Sequence, residues 1–160
     1  MTALGSGRLD DVAPEFAELL RDPARLAPPR FPVTGIRIET VMVPMRDGTR
    51  LATDVYLPPK LPAPVVAMRG PYGRDADPTA GLFLILARRG YVALSQDVRG
   101  TGDSEPDYWD YLLWEAQDSY DFVEWISHQD FCDGFIASTG SSYVGGTQWC
   151  MAMHHWVPPT

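Results

Sequence analysis

Three serines fall within one glycine-rich stretch, Ser138 to Trp149, "STGSSYVGGTQW". A serine hydroxyl is a weak nucleophile until a base takes its proton. The chemistry it then performs is acyl transfer, by attack on an ester or amide carbonyl. Such a serine is commonly displayed in the form G-x-S-x-G, on a sharp turn between a strand and a helix. Ser138 lies inside the preceding strand-like run, and Ser141 has glycine directly before it, one place too close. Ser142 has Gly140 two residues before it, but Val144 stands where the second glycine belongs, and that glycine follows one place later at Gly145. On spacing Ser142 is the candidate nucleophile, although a Gly-Ser turn opening a helix is also a common structural device.

The elements around it must hold it in place. "FIASTG", Phe135 to Gly140, reads as a strand, and "SSYVGGTQWCMAMHHW" as the helix after it. Upstream, "IRIETVMVP" and "TRLATDVYLP" alternate with period two about "RDG", Arg46 to Gly48, which predicts a β-hairpin. "PVVAMR" and "YVALSQD" read as strands buried on both faces. Between them "TAGLFLILARRG" predicts a helix capped by Thr79 and closed by Gly90. Leu112 to His128 predicts a second helix, with Leu112, Ala116, Tyr120, Val123 and Ile126 on its inner stripe. Glu115, Asp118, Asp121 and Glu124 then form a solvated outer face rather than a cation site. Alternating strands and helices predict a three-layer α/β fold with a mainly parallel sheet. Before it, Asp11 to Leu26 reads as a short helix within an N-terminal arm of residues 1–32, leaving 33–160 as the folded unit.

Composition narrows the function. With 160 residues, 45 % apolar and 21 % charged, one ordinary globular domain is expected. A net charge of −8 argues against nucleic acid as a partner. The longest apolar run, Ala80 to Ala87, is too short to span a bilayer. The first residues lack the basic and apolar regions of a secretory signal, so a cytoplasmic protein is expected. Cys132 and Cys150 sit in no metal-ligand or redox spacing and read as thiols in a reducing compartment. His154 and His155 are adjacent, and neighbours on a helix diverge by about 100°, so they do not share a metal. No metal and no cofactor are expected.

Five blocks in order, "VPMRDGTRLATDVYLP", "RGPYGR", "LARRGYVALSQDVRGTGDSE", "EAQDSYDFVEW" and "GSSYVGGTQW", resemble the cocaine-esterase and X-Pro dipeptidyl-peptidase-like serine hydrolases of CocE/NonD type. The resemblance spans roughly Gly35 to Trp149. It implies an α/β-hydrolase fold acting on ester, amide or Xaa-Pro peptide bonds. It also implies Ser142 as nucleophile, with a bulky residue tolerated at Val144. Tyr72 of the "PY" loop and the backbone N–H of Tyr143 are implied as oxyanion donors. Phe135 and Ala137 depart from the basic residue and glycine expected there, and "SEPDYWDY" lacks an expected glycine; neither touches the elbow.

A nucleophile needs a base within hydrogen-bond reach. His128 precedes the elbow strand, which places it at the opposite edge of the sheet. His154 and His155 lie about 18 Å along the helix that leads away from Ser142. In α/β-hydrolases the acid and histidine follow the serine, and here "HHWVPPT" stands where the next strand would begin. The chain therefore reads as an N-terminal portion that carries nucleophile and oxyanion hole and is inactive alone. Two rivals remain. One is a non-catalytic fragment that associates through an open sheet edge beside Phe135–Gly140. The other is a nucleotide-binding domain, from "GTGDSE" at Gly100 to Glu105, which begins like G-x-G-x-x-G but has Glu105 in place of the third glycine.

Overall fold

The computed structural model describes residues 28–153. The helix expected over Asp11–Leu26, most of the arm, and His154 and His155 lie outside them. Five strands form one mixed sheet: β1 (Arg37–Pro44), β2 (Arg50–Leu57), β3 (Ala63–Gly70), β4 (Val92–Asp97) and β5 (Cys132–Ser138), in the order β1-β2-β4-β3-β5. Three helices join and cover them: α1 (Asp77–Arg88), α2 (Glu115–Ser127) and α3 (Tyr143–Ala152).

The hairpin follows from its alternating pattern. β1 pairs antiparallel with β2, from Arg37↔Leu57 to Pro44↔Arg50, around a turn in which Gly48 takes φ 87°. β2 then pairs antiparallel with β4, while β4–β3 and β3–β5 are parallel. The parallel part carries the continuous apolar runs, because helices cover both of its faces. Val65, Ala67, Val92 and Leu94 point to one face, where Phe122 and Ile126 of α2 and Met151 of α3 pack on them. Ala93 and Tyr56 point to the other, against Phe83 and Ala87 of α1. These are the three layers of an α/β fold. β3 leaves its carboxyl end toward α1 and β5 toward α3, on opposite faces. Oppositely directed exits open a crevice at the carboxyl edge, where such sheets bind ligands.

The details correct the sequence expectations in three places. α1 begins at Asp77, not at Thr79, and Ala76 precedes it without a side-chain cap. β5 covers Cys132–Ser138, earlier than Phe135–Gly140, and α2 starts at Glu115 rather than Leu112. The larger correction is the face of α2. Its buried residues are Glu115, Asp118, Ser119, Phe122 and Ile126, whereas Leu112 and Ala116 are exposed. Three arginines from distant segments explain the rotation. Arg69 of β3 donates to Glu115 at 2.7 Å. Arg99 donates to Asp118 at 2.6 Å, and Arg46 of the hairpin turn to Asp121 at 2.9 Å. A carboxylate can be buried when its charge is paired and hydrogen-bonded. Local periodicity cannot see a partner 19 to 75 residues away.

β5 is an edge strand, and its side chains are mostly exposed or half-exposed. Among the described residues, no helix is long and apolar enough to cross a membrane. Cys132 and Cys150 are free thiols.

Candidate active site

Ser142 stands between β5 and α3, as the residue that caps α3. Its backbone has φ 56° and ψ −128°. It is one of two non-glycine residues with positive φ among the described residues. That pair of angles lies outside even the small left-handed well open to L-residues. A sharp turn has lifted the serine out of the strand direction, and its side chain is exposed at the carboxyl edge.

The neighbouring sequence builds this turn. Val144 is buried and packs between two glycines. A β-carbon on Gly140 would overlap the Val144 side chain, and one on Gly70 would come within 2.8 Å of it. The glycine missing after Ser142 is thus compensated by glycine on both surfaces that face Val144. Thr147 and Gln148 fasten the helix. Thr147 donates from Oγ1 to the carbonyl of Arg69 at 2.8 Å. Gln148 donates to the carbonyl of Gly140 at 2.6 Å and accepts from Ser138 at 3.2 Å.

Tyr72 follows the carboxyl end of β3 and is 64 % exposed. It lines the same cavity as Ser142, about 420 Å³ in volume, together with Met68, Gly70, Leu82 and Val144. Tyr72 and Ser142 therefore share one edge of the sheet. The loop that carries Tyr72 is anchored by Arg74. The Arg74 backbone N–H donates to Asp97 at 2.8 Å. Its guanidinium reaches Asp97 and Asp103 at 2.7 Å each and Asp54 at 3.1 Å. Burial pushes the Asp97 carboxyl up, while the hydrogen bonds from Arg74 pull against it.

Tyr143 opens α3, so its N–H is among the first helical amides, which have no intrahelical acceptor. The helix dipole adds partial positive charge there. The Tyr143 side chain turns inward instead. Its hydroxyl donates to Glu115 at 2.7 Å, and its ring lies against Trp109 and Tyr111. Burial and the hydrogen bond to Glu115 push the phenol well above its ordinary value.

The structure thus brings Ser142, Tyr72 and Tyr143 together, and it keeps His128 apart. His128 follows α2, with Nδ1 at 2.7 Å from the carbonyl of Glu124. The whole of β5 separates it from the elbow, roughly 20 Å at about 3.3 Å per residue. Among the described residues, no group of three His, Cys, Asp or Glu could hold a metal ion. In the "GTGDSE" loop, a β-carbon on Gly102 would run into the Asp97 carboxylate. Asp103 accepts from Arg74, and Glu105 from Arg50. The loop thus presents carboxylates tied to arginines.

Spacing alone did not mark Arg69, Arg74, Asp97, Glu115 or Gln148. A signal for Arg69 was present: an arginine ending a strand of otherwise apolar residues must find a buried anion.

A serine displayed on a strained strand-to-helix turn, above the carboxyl edge of a three-layer sheet, defines an α/β hydrolase. The chain belongs to the X-Pro dipeptidyl-peptidase (S15) family, whose model matches residues 47–158. It is 42 % identical over 118 residues to cocaine esterase of Rhodococcus sp. (strain MB1 Bresler), covering 71 % of this chain and 20 % of the esterase. Among solved structures, an α-amino acid ester hydrolase matches with TM-score 0.59 and 32 % identity, over 71 % of this chain and 22 % of that one. A CocE/NonD family hydrolase from Staphylococcus aureus matches with TM-score 0.62 and 25 % identity, over 76 % and 29 %. The chain spans about a fifth of the length of the curated relatives it matches.

Proposed function

We propose that this chain supplies the nucleophile and the oxyanion hole of a serine hydrolase acting on carboxylic esters or amides, Xaa-Pro peptides among them. Residues 33–160 form the N-terminal portion of the hydrolase domain, and 1–32 an arm before it. Free thiols at Cys132 and Cys150 suit the cytoplasm. The observation that carries the reading is the strained backbone of Ser142 beside a cavity it shares with Tyr72.

In this mechanism Ser142 Oγ attacks the substrate carbonyl carbon as its proton passes to a general base. The carbonyl oxygen becomes an oxyanion. It accepts hydrogen bonds from the backbone N–H of Tyr143 and the phenol of Tyr72, and one such donor stabilises the transition state by about 2.7–4 kcal/mol. Collapse expels the alcohol or amine and leaves an acyl-serine, which water hydrolyses. His128 is too distant to be the base, and His154 and His155 come after α3 in the sequence; the 160-residue chain alone is expected to turn over no ester faster than its Ser142→Ala variant.

Binding of phenylboronic acid tests the reading without requiring a base for turnover. The serine oxygen adds to boron, a proton is released, and boron becomes tetrahedral with a hydroxyl in the oxyanion position. A tetrahedral boron-11 signal in the wild type, absent in Ser142→Ala, is the expected result. Equal signals from both proteins would refute it.

A second reading rests on the open edge of β5. Phe135 on this strand is 61 % exposed and Trp149 of α3 is 73 % exposed. In that reading the chain is a non-catalytic partner that pairs through this edge.

A further inference from the structure

The Tyr143 side chain has no part in the mechanism above, yet it is among the most firmly held in the molecule. Its hydroxyl donates to one oxygen of Glu115 at 2.7 Å. The other oxygen of Glu115 accepts from Arg69 Nη1 at 2.7 Å. Arg69 is completely buried and Glu115 is 3 % exposed. The guanidinium is fixed in turn by Gln96, which accepts from Nε at 2.7 Å, and by Ser119, which accepts from Nη1 at 2.8 Å. Gln96 donates onward to Thr53 at 2.9 Å. The chain of contacts runs from the centre of the sheet to the residue after the candidate nucleophile.

Resting on that reading of Ser142, we propose that Glu115 is a positioning residue. By holding the Tyr143 phenol it fixes the peptide unit whose N–H serves as the oxyanion donor.

Three observations carry this. First, Ser142 holds a backbone conformation that its own side chain disfavours, so neighbouring residues must impose it. Second, α3 is tied at two points just after the turn. Thr147 bonds the Arg69 carbonyl, and the Tyr143 phenol bonds the carboxylate paired with the Arg69 side chain. Both ties end on one residue of β3, the strand that leads to Tyr72. A single buried arginine therefore sets the spacing between the two oxyanion-donor segments. Third, the Tyr143 phenol stays protonated far above its ordinary range, because it is buried and bonded to Glu115. Its geometry is that of a donor, with the hydroxyl 2.7 Å from the Glu115 carboxylate. Displacements near 1 Å in such sites cost up to about a hundredfold in rate.

Phenylboronic acid binding, followed by boron-11 NMR on the full 160-residue chain, tests the proposal. Tyr143→Phe keeps the ring and loses only the O–H. In Glu115→Gln the amide oxygen serves Arg69 and its NH2 faces the phenol, so Tyr143 loses its carboxylate acceptor and the bond to a charged group. Each variant is expected to weaken binding about tenfold, and the double variant no more than either alone, because both break one contact. Asp121→Asn breaks the pair with Arg46 on the same helix and should leave the affinity within twofold. If Glu115→Gln does not fold, Tyr143→Phe decides alone. Tyr143→Phe binding as tightly as the wild type would overturn the positioning role and leave Ser142 as nucleophile. Additive losses, or an equal loss in Asp121→Asn, would also overturn it. A wild type that binds no better than Ser142→Ala overturns the reading of Ser142 and this proposal with it.

Discussion

At Ser142 the chain tolerates a backbone that an L-residue resists. Sparsely populated φ/ψ values of this kind cost about 1–3 kcal/mol. Glycine would remove the clash at an entropic cost of about 0.5–1 kcal/mol. Ser142→Gly is therefore expected to be about 1 kcal/mol more stable than Ser142→Ala in urea unfolding. Equal stabilities would mean that the turn is not strained. The same turn explains Val144. Gly140→Ala drives a methyl group into the valine and should cost about 2 kcal/mol or more, within the range for overpacking. In a Val144→Gly background the Gly140→Ala penalty should shrink, because the methyl group then meets no side chain; an undiminished penalty would show that φ 146° at Gly140, not the contact, excludes a side chain there. At this scale the sequence was informative. Gly140 and Ser142 announced the elbow by spacing, and the apparent fault at Val144 concealed an exchange of glycine positions that only packing reveals.

Among the elements, α2 teaches the most. Its pattern of Leu112, Ala116, Tyr120, Val123 and Ile126 is a plausible apolar stripe, and its carboxylates look like a wet face. The helix instead buries Glu115 and Asp118 against Arg69 and Arg99. Hairpin, buried strands and elbow were legible because each rests on local pattern: alternation, apolar runs, glycine spacing. The orientation of α2 was not, because it depends on cations supplied by β3, by the loop after β4 and by the hairpin turn. Removing one partner of a buried pair leaves an uncompensated charge and costs about 3–5 kcal/mol. Asp118→Ala should lose about 1–3 kcal/mol, because Arg99 keeps Asp47 and Thr49 but the buried partner of its Nε and Nη2 is gone. Glu124→Ala should change stability by about 0.5 kcal/mol or less, as surface substitutions do. Thermal or denaturant unfolding of the two variants checks the phase of the helix; similar small effects would restore the solvated-face reading.

At the scale of the molecule, the sheet formed by the described residues ends at the strand that carries the elbow. β5 leaves one row of N–H and C=O groups without a strand partner among the described residues, beside exposed Phe135 and Trp149. Unpaired apolar edges drive association. The net charge of −8 does not prevent it, since repulsion is screened beyond about 8 Å at physiological salt. The purified chain is expected to self-associate in sedimentation experiments; a stable monomer at high concentration would show that the edge is covered. The proposed chemistry turns on one atom, Ser142 Oγ. It is tested most directly by treating the chain with a fluorophosphonate and mapping the modified peptide by mass spectrometry. The serine oxygen bonds to phosphorus as fluoride leaves and its proton passes to a buffer base, added here at high concentration because His128 is out of reach; one event per molecule suffices. Modification is expected at Ser142 in preference to Ser138, Ser141 and every other serine, slowed about tenfold or more in Tyr72→Phe by loss of one oxyanion donor. Label spread evenly over exposed serines, or label at Ser142 unaffected by Tyr72→Phe, would contradict it.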